Sequence, residues 1–139
     1  KRNYSRLVSV LEYQNCRGRP GTIIDSVIED NEAEENESIR VIDSELILTN
    51  VKFRRNKAKR ITEGILLNTA TLTTSNVVFE SQGTQKETTG MILATVDSEI
   101  SVQNSIFRGN SGSYAIFATA IKSLTMDGCI LEDNQMWNA

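Results

Sequence analysis

Histidine is missing altogether from these 139 residues. Its absence removes Ser-His and Cys-His nucleophile pairs, the commonest metal ligand, and the side chain that titrates near neutrality. Proline occurs once, and aromatic residues make up 6% of the chain. Cysteine occurs twice, as Cys16 and Cys129, too few for a disulfide framework or a four-ligand zinc site. Uninterrupted apolar runs are only a few residues long, so nothing in the sequence reads as a membrane span. Neither charge sign dominates: 15 basic against 18 acidic residues leave a net −3, which draws the chain to neither nucleic acid nor an anionic membrane. The expectation is therefore no cofactor, no metal and no nucleic-acid partner. No secretory leader is legible, and the chain opens on Lys1. What is plentiful is Ser, Thr, Asn, Val and Ile, a mixture that favours strands joined by turns.

One unit recurs. It reads Leu46-Ile47-Leu48-Thr49-Asn50-Val51-Lys52-Phe53-Arg54-Arg55-Asn56, and it returns around Phe79, Phe107 and Leu131, with a weaker first copy around Ile28. The anchors Ile28, Phe53, Phe79, Phe107 and Leu131 are spaced by 25, 26, 28 and 24 residues. A repeat of this length is the mark of a solenoid. Within a unit, Leu46 and Leu48 alternate with Ile47 and Thr49, which is strand periodicity. Asn50 breaks the alternation, because Asn tolerates the left-handed conformation and can turn a chain without Gly. Val51 and Phe53 then resume period two. A bend at Asn50 lets Leu46, Leu48, Val51 and Phe53 face one interior.

A third short strand is expected at Ile39 to Ile42, Gly64 to Leu67, Gly90 to Leu93 and Ala115 to Ala118. The predicted fold is all-β: a right-handed, single-stranded parallel β-helix of about five coils of roughly 25 residues, three short strands per coil. Residues 22–135 read as regular coils and 1–21 as an irregular or partial first coil, with Leu7 to Leu11 as a strand and Tyr13 to Pro20 as a loop. Neither terminus shows a polar cap, so 1–139 reads as a single segment of a longer solenoid or one whose ends pair with other subunits.

Stacking sets like on like. Asp25, Asn50, Asn76, Asn104 and Gly128 fall at one corner, where an amide ladder is expected, weakened at its ends by the charge of Asp25 and the bare Gly128. Asn31, Asn56, Gln82, Asn110 and Asn134 form a second polar column. Ile28, Phe53, Phe79, Phe107 and Leu131 form an internal stack. Satisfied corner amides are what a solenoid needs, so both columns read as structural.

The loops after Asn31 and Asn56 carry opposite charge in consecutive coils. The first has Glu29, Asp30, Glu32, Glu34, Glu35 and Glu37; the second has Arg54, Arg55, Lys57, Lys59 and Arg60. Mutual neutralisation is the favoured reading; calcium on the acidic run or a polyanion on the basic one are the alternatives. Cys129 replaces Val51 and Val77 and is expected inside as a small buried thiol. Cys16 lies about four coils from it, roughly 20 Å at the ~4.8 Å strand spacing, so the two should stay unpaired. Asn3 and Asn36 open Asn-x-Ser sequences, the N-glycosylation acceptor pattern.

Phe53-Arg54-Arg55-Asn56 and Phe107-Arg108-Gly109-Asn110 resemble the Phe-x-x-Asn repeat of the chlamydial polymorphic outer-membrane proteins, within the wider class of pectin-lyase-like β-helix repeat proteins. The resemblance covers roughly Gly21 to Asn134. The Gly-Gly-Ala half of the family repeat is missing: the matching stretches are Glu63-Gly64-Ile65-Leu66, Thr89-Gly90-Met91-Ile92 and Ser113-Tyr114-Ala115-Ile116. The resemblance implies an autotransporter-like adhesin with a β-helical passenger. The expected function is a structural or adhesive protein of the cell surface or extracellular space, not an enzyme, partnered by other β-helix segments or by a carbohydrate or host-surface ligand. The alternative is a fragment of a polysaccharide lyase or hydrolase, for which Asp43, Glu45, Asp97 and Glu99 are the outward carboxylates. A third reading is an intracellular assembly component.

Overall fold

The computed structural model describes residues 4–5, 11–16, 18–33, 38–58, 62–82 and 90–136. Every regular element among them is a strand. Three five-stranded parallel sheets run side by side along the chain. The first face stacks Leu11–Gln14, Ile39–Ile42, Thr62–Asn68, Gly90–Thr95 and Tyr114–Ala118. The second stacks Gly21–Ile24, Glu45–Thr49, Thr71–Ser75, Glu99–Gln103 and Ser123–Asp127. The third stacks Val27–Glu29, Lys52–Arg54, Val78–Glu80, Ile106–Arg108 and Ile130–Glu132. Each strand pairs only with its equivalent one repeat away, so five strands per face make a β-solenoid of about four turns. Two-residue strands extend the coil beyond the third face: Glu32–Ala33 lies between Tyr4–Ser5 and Lys57–Ala58, and Ser111–Gly112 pairs with Gln135–Met136.

One expectation needs correction. The first-face strand Leu11–Gln14 occupies part of what was read as a loop from Tyr13, and it pairs in register with Ile39–Ile42. Leu11-Glu12-Tyr13-Gln14 has period-two alternation, and Tyr13 packs against the core. The remainder of the Leu7 to Leu11 strand lies outside the described residues.

The chain turns at three corners per coil, and the same backbone device recurs at each. Left-handed φ values stand at Asp25, Asn50, Asn76 and Asn104 (49°, 54°, 55° and 47°) and at Gly128 (60°). They also stand at Asn15, Asp43 and Thr69, and again at Asp30, Arg55, Ser81, Gly109 and Asp133. Asn and Asp enter this region at low cost, whereas Arg55, Thr69 and Ser81 hold it against a penalty of roughly 1–2 kcal/mol. The stacked strands on either side impose the corner whatever residue occupies it.

Inward side chains form columns. Leu11, Ile39, Ile65, Ile92 and Ile116 align on the first face. Leu46, Leu72, Ile100 and Leu124 align on the second. On the third face Phe53, Phe79 and Phe107 are fully buried, with ring centroids 4.8 and 4.9 Å apart and planes within 10°. That ring spacing is the spacing of hydrogen-bonded strands, so the backbone ladder itself sets the aromatic stack. Gly64 makes room beside it: a Cβ there would lie 2.2 Å from the Met91 carbonyl oxygen and 3.1 Å from the Phe79 ring.

The ends of the stack differ from its middle. Ile28 is in register with Phe53 and half-buried. Leu131 is in register with Phe107 but 55% exposed, so it is not the internal residue expected; no described coil lies over it. Cys129 is likewise half-buried against the core rather than enclosed. Replacing Phe79 by Ala should therefore cost about 3–5 kcal/mol, the range for a buried Phe, while Leu131→Ala costs under about 1 kcal/mol. Urea unfolding of the two variants checks this, and equal losses would contradict an internal stack that ends before Leu131.

Candidate functional site

The features that set this chain apart are its lateral side-chain ladders. The polar column beside the third face contains the buried Asn31, Asn56, Gln82 and Asn110 and the half-buried Asn134. Asn31 donates from Nδ2 to Asn56 Oδ1 at 2.8 Å, and its backbone N–H donates to the same oxygen at 3.2 Å. Asn110 repeats the pattern onto Asn134 Oδ1, at 2.9 Å from Nδ2 and 3.1 Å from the backbone. Each lower amide also closes on main chain: Asn56 Nδ2 donates to the Ile28 carbonyl, Asn110 Nδ2 to Phe79 and Asn134 Nδ2 to Phe107. The polar column and the aromatic column are thus tied together, because the Asn amides bind the backbone of the residues that stack.

Gln82 departs from the pattern. Its backbone N–H donates to Asn110 Oδ1 at 2.9 Å, as the column requires. Its own amide folds back, donating from Nε2 to the Glu80 carbonyl at 3.0 Å. Gln82 Oε1 is buried and accepts no hydrogen bond among the described residues. The extra methylene lets the Gln amide reach its own strand, and the ladder is interrupted at that coil.

At the exposed corner, Asn50 Nδ2 donates to Asp25 Oδ1 at 2.8 Å and Asn76 Nδ2 to Asn50 Oδ1 at 3.2 Å. Donors point towards Asp25, so an acceptor-only carboxylate suits that end and makes the bond charge-assisted. This corrects the expectation that its charge weakens the ladder. Gly128 has a role of its own: Asn104 Oδ1 lies 2.4 Å from where a Cβ would stand, so the absent side chain leaves space for that amide oxygen.

Sequence reasoning missed a set of buried serines. Ser44 Oγ accepts the Cys16 N–H, Ser98 Oγ the Ala70 N–H and Ser105 Oγ the Val77 N–H, each bridging adjacent coils. Ser105 replaces Val51 and Val77 in the column that ends at Cys129. Ser recurring at small-residue repeat positions, Ser26 and Ser105 in one column and Ser44 and Ser98 beside Ala70 in another, was the available signal.

A charge column was only half legible. One of the two outward columns of the third face reads Glu29, Arg54, Glu80, Arg108, Glu132 in strict register, so the sign alternates along it, while the other reads Val27, Lys52, Val78, Ile106, Ile130. Arg54 donates to Glu29 Oε2 from Nε at 2.8 Å and from its terminal Nη2. Arg108 reaches Glu80 at 2.6 Å and Glu132 at 3.7 Å; Lys52 reaches Glu80 at 2.6 Å. One residue on, Arg55 pairs with Asp30 at 2.7 Å. Neutralisation between the first two charged loops is therefore real for Glu29, Asp30, Arg54 and Arg55. Residues 34–37 and 59–60, and with them Glu34, Glu35, Glu37, Lys59 and Arg60, lie outside the described residues. Hydrogen bonding from Arg54 holds the Glu29 carboxyl below its usual range, and Lys52 followed by Arg108 does the same for Glu80. Asp30 pushes the Arg55 guanidinium up.

The outward carboxylates of the lyase reading occupy another corner. An open depression of about 290 Å³ is lined by Cys16, Gly18, Asp43, Ser44, Glu45, Thr69 and Thr71. Glu45 and Glu99 flank Thr71 in the same column, two coils apart, and Glu99 lies 3.7 Å from Lys122. Among the described residues, no three His, Cys, Asp or Glu side chains converge as a metal site. No helix among them is long and apolar enough to cross a membrane. Cys16 and Cys129 are both free thiols. Asn3 and Asn36 lie outside the described residues.

No family model, curated protein or solved structure matches this chain. Its reading therefore rests on the ladders themselves.

Two tests follow from them. Gln82→Asn should offer Asn56 the cross-coil amide acceptor that Asn56 Oδ1 offers Asn31, and should raise stability by about 1 kcal/mol, a few degrees in Tm, the scale of one recovered buried hydrogen bond. A loss of stability would mean that the side-chain volume of Gln82 outweighs its orphaned oxygen. The second test concerns pH. Glu80 is depressed in the folded state, so its contribution is present above its unfolded pKa of about 4.3 and fades as pH falls through the lower folded value. Glu80→Gln should cost about 1 kcal/mol or less at neutral pH, the upper end for a partly exposed pair, and nothing near pH 2. Thermal melts of both proteins across that range check the convergence.

Proposed function

We propose that this chain is a rod-forming segment of a structural or adhesive β-solenoid protein of the cell surface or extracellular space. One observation carries the reading. The outward charges of the third face are engaged with one another coil after coil, as in Glu29–Arg54 and Glu80–Arg108, and the inward positions are given to stacking. Such a surface is flat, stiff and self-neutralised, which suits a spacer or a presenting scaffold. The Phe-x-x-Asn pattern of Phe53 to Asn56 and Phe107 to Asn110 supports kinship with autotransporter passengers of the chlamydial kind, and the buried Asn56 and Asn110 give that motif a physical purpose. The natural partners are other β-solenoid segments, of the same or a larger protein, and a carbohydrate or host-surface ligand on a lateral face.

The depression at Asp43 and Glu45 favours a second reading, a fragment of a polysaccharide lyase or hydrolase. A glycoside hydrolase needs two carboxyls roughly 5–10 Å apart. Fold alone does not choose between these readings, because the same scaffold can carry either.

Incubation with acidic and neutral polysaccharides separates them. A scaffold or adhesin leaves the chain length of the polymer unchanged by size-exclusion chromatography, with or without a bound complex. New reducing ends, or ultraviolet absorbance from an unsaturated product, lost on Asp43→Asn or Glu45→Gln, would overturn the structural reading in favour of the enzyme.

A further inference from the structure

The outward side of the second face is built unlike that of the third. Its strands Glu45–Thr49, Thr71–Ser75, Glu99–Gln103 and Ser123–Asp127 are five residues long, so each presents three outward side chains in strict parallel register. In the middle column Ile47 is followed by Thr73, Ser101 and Thr125. In the column nearest the Asn corner Thr49 is followed by Ser75 and Gln103. Whereas Ser44, Ser98 and Ser105 use their hydroxyls between coils, those of Thr49, Thr71, Thr73, Ser75 and Ser101 have no hydrogen-bond partner among the described residues. The remaining column reads Glu45, Thr71, Glu99, Ser123, an acid and a hydroxyl by turns. Glu45 and Glu99 are both exposed and stand two coils, roughly 10 Å, apart. Lys122 reaches Glu99 at 3.7 Å, an exposed pair of little strength.

Thr and Ser are ordinary on an exposed strand, so their presence alone selects no ligand. Their arrangement does. A column of like residues offers many weak contacts at one fixed step, and only a ligand that repeats along a line can collect them together. Hydroxyls both donate and accept, as sugar hydroxyls do. A protein partner would need aromatic or apolar anchors, and these outward positions hold only Ile24 and Ile47. The charged side chains among them, Glu45, Glu99 and Asp127, are all acids, which repels nucleic acid and acidic polysaccharides and attracts amines. The period of the acid column adds a geometric condition. In an extended β-1,4-linked sugar chain successive rings are turned over, so a ring amine returns to the same edge at every second ring. The carboxylate of this column returns at every second coil.

We propose that the second face binds an extended, amine-bearing β-1,4-linked polysaccharide laid parallel to the solenoid axis. Glu45 and Glu99 pair with ammonium groups on alternate rings, and Thr71, Thr73, Ser75 and Ser101 bond the ring hydroxyls between them. The acids select the amine, and the hydroxyl columns select a straight sugar chain over other polycations. The inference rests on the adhesive rod reading above and names its lateral face and ligand.

Co-sedimentation with insoluble chitosan, cellulose and poly-lysine beads tests it, in mildly acidic buffer that keeps the polymer amines charged. Four proteins are compared: wild type, Glu45→Gln/Glu99→Gln, Thr71→Val/Thr73→Val, and Glu12→Gln/Asp133→Asn, which makes the same change in net charge away from this face. Circular dichroism confirms strand content in each. Wild type should bind chitosan more tightly than cellulose, which has the same backbone without the amine. Glu45→Gln/Glu99→Gln should bind chitosan about tenfold more weakly, the scale of two lost exposed ion pairs. Thr71→Val/Thr73→Val keeps side-chain shape and charge and should weaken chitosan binding severalfold while leaving poly-lysine binding unchanged. Glu12→Gln/Asp133→Asn should bind as wild type does. Absence of chitosan binding would overturn the proposal, and so would an equal loss in the Glu12/Asp133 variant, which would make net charge the cause. Valine variants that bind chitosan as tightly as wild type would overturn it in favour of any polycation, a basic protein included. The two double variants probe separate columns, so one that fails to fold leaves the other decisive. None of these outcomes touches the rod reading, which stands or falls on polymer cleavage.

Discussion

A strand-to-strand spacing near 4.8 Å governs everything else in this molecule. Each strand pairs with its own equivalent in the next coil, so every side chain meets, above and below, the residue that occupies the same place in the repeat. Groups that gain from meeting their own kind then become ladders. Phenyl rings at 4.8 and 4.9 Å stack, and Asn amides, each both donor and acceptor, chain together. Charges are the opposite case, because like on like is repulsive. The third face meets that constraint by alternating sign, Glu to Arg to Glu, at each step of the repeat.

The ladders are coupled. Asn56, Asn110 and Asn134 donate to the backbone of Ile28, Phe79 and Phe107, so the polar column fixes the strand on which the aromatic column rides. The outward Arg54 and Arg108 sit one residue beyond Phe53 and Phe107 and pair in the same register. A slip of one residue between coils would bury the charges and expose the rings together. Three independent interactions thus specify one alignment, which gives the rod reading its physical basis. Where one of them lapses, as at Gln82, the other two still hold the coil in place.

Much of this was legible in the chain itself. The anchors at Ile28, Phe53, Phe79, Phe107 and Leu131 gave the coil length, and the Asn positions gave the polar columns, because identity at fixed spacing is visible without coordinates. Other features were hidden. The strand at Leu11–Gln14 has few anchors of its own and becomes a strand by pairing with Ile39–Ile42. The corners at Thr69 and Ser81 use residues with no left-handed preference, so only the enclosing strands reveal the turn. The alternation of Glu80 and Arg108 escaped notice since a repeat is sought by likeness, and these positions repeat by opposition.

The sequence by itself determined the all-β class, the parallel stacking, the coil length and the identity of the stacked columns, because these follow from period-two alternation nested in a recurring unit. Tertiary structure alone decided which members of a column actually touch and which are left at the edge. Leu131 repeats Phe107 in sequence yet stands in solvent, and Gln82 occupies an Asn position yet turns its amide away. The physical reason is that a repeat specifies positions, whereas burial and hydrogen bonding depend on the presence of a neighbouring coil and on the length of one side chain.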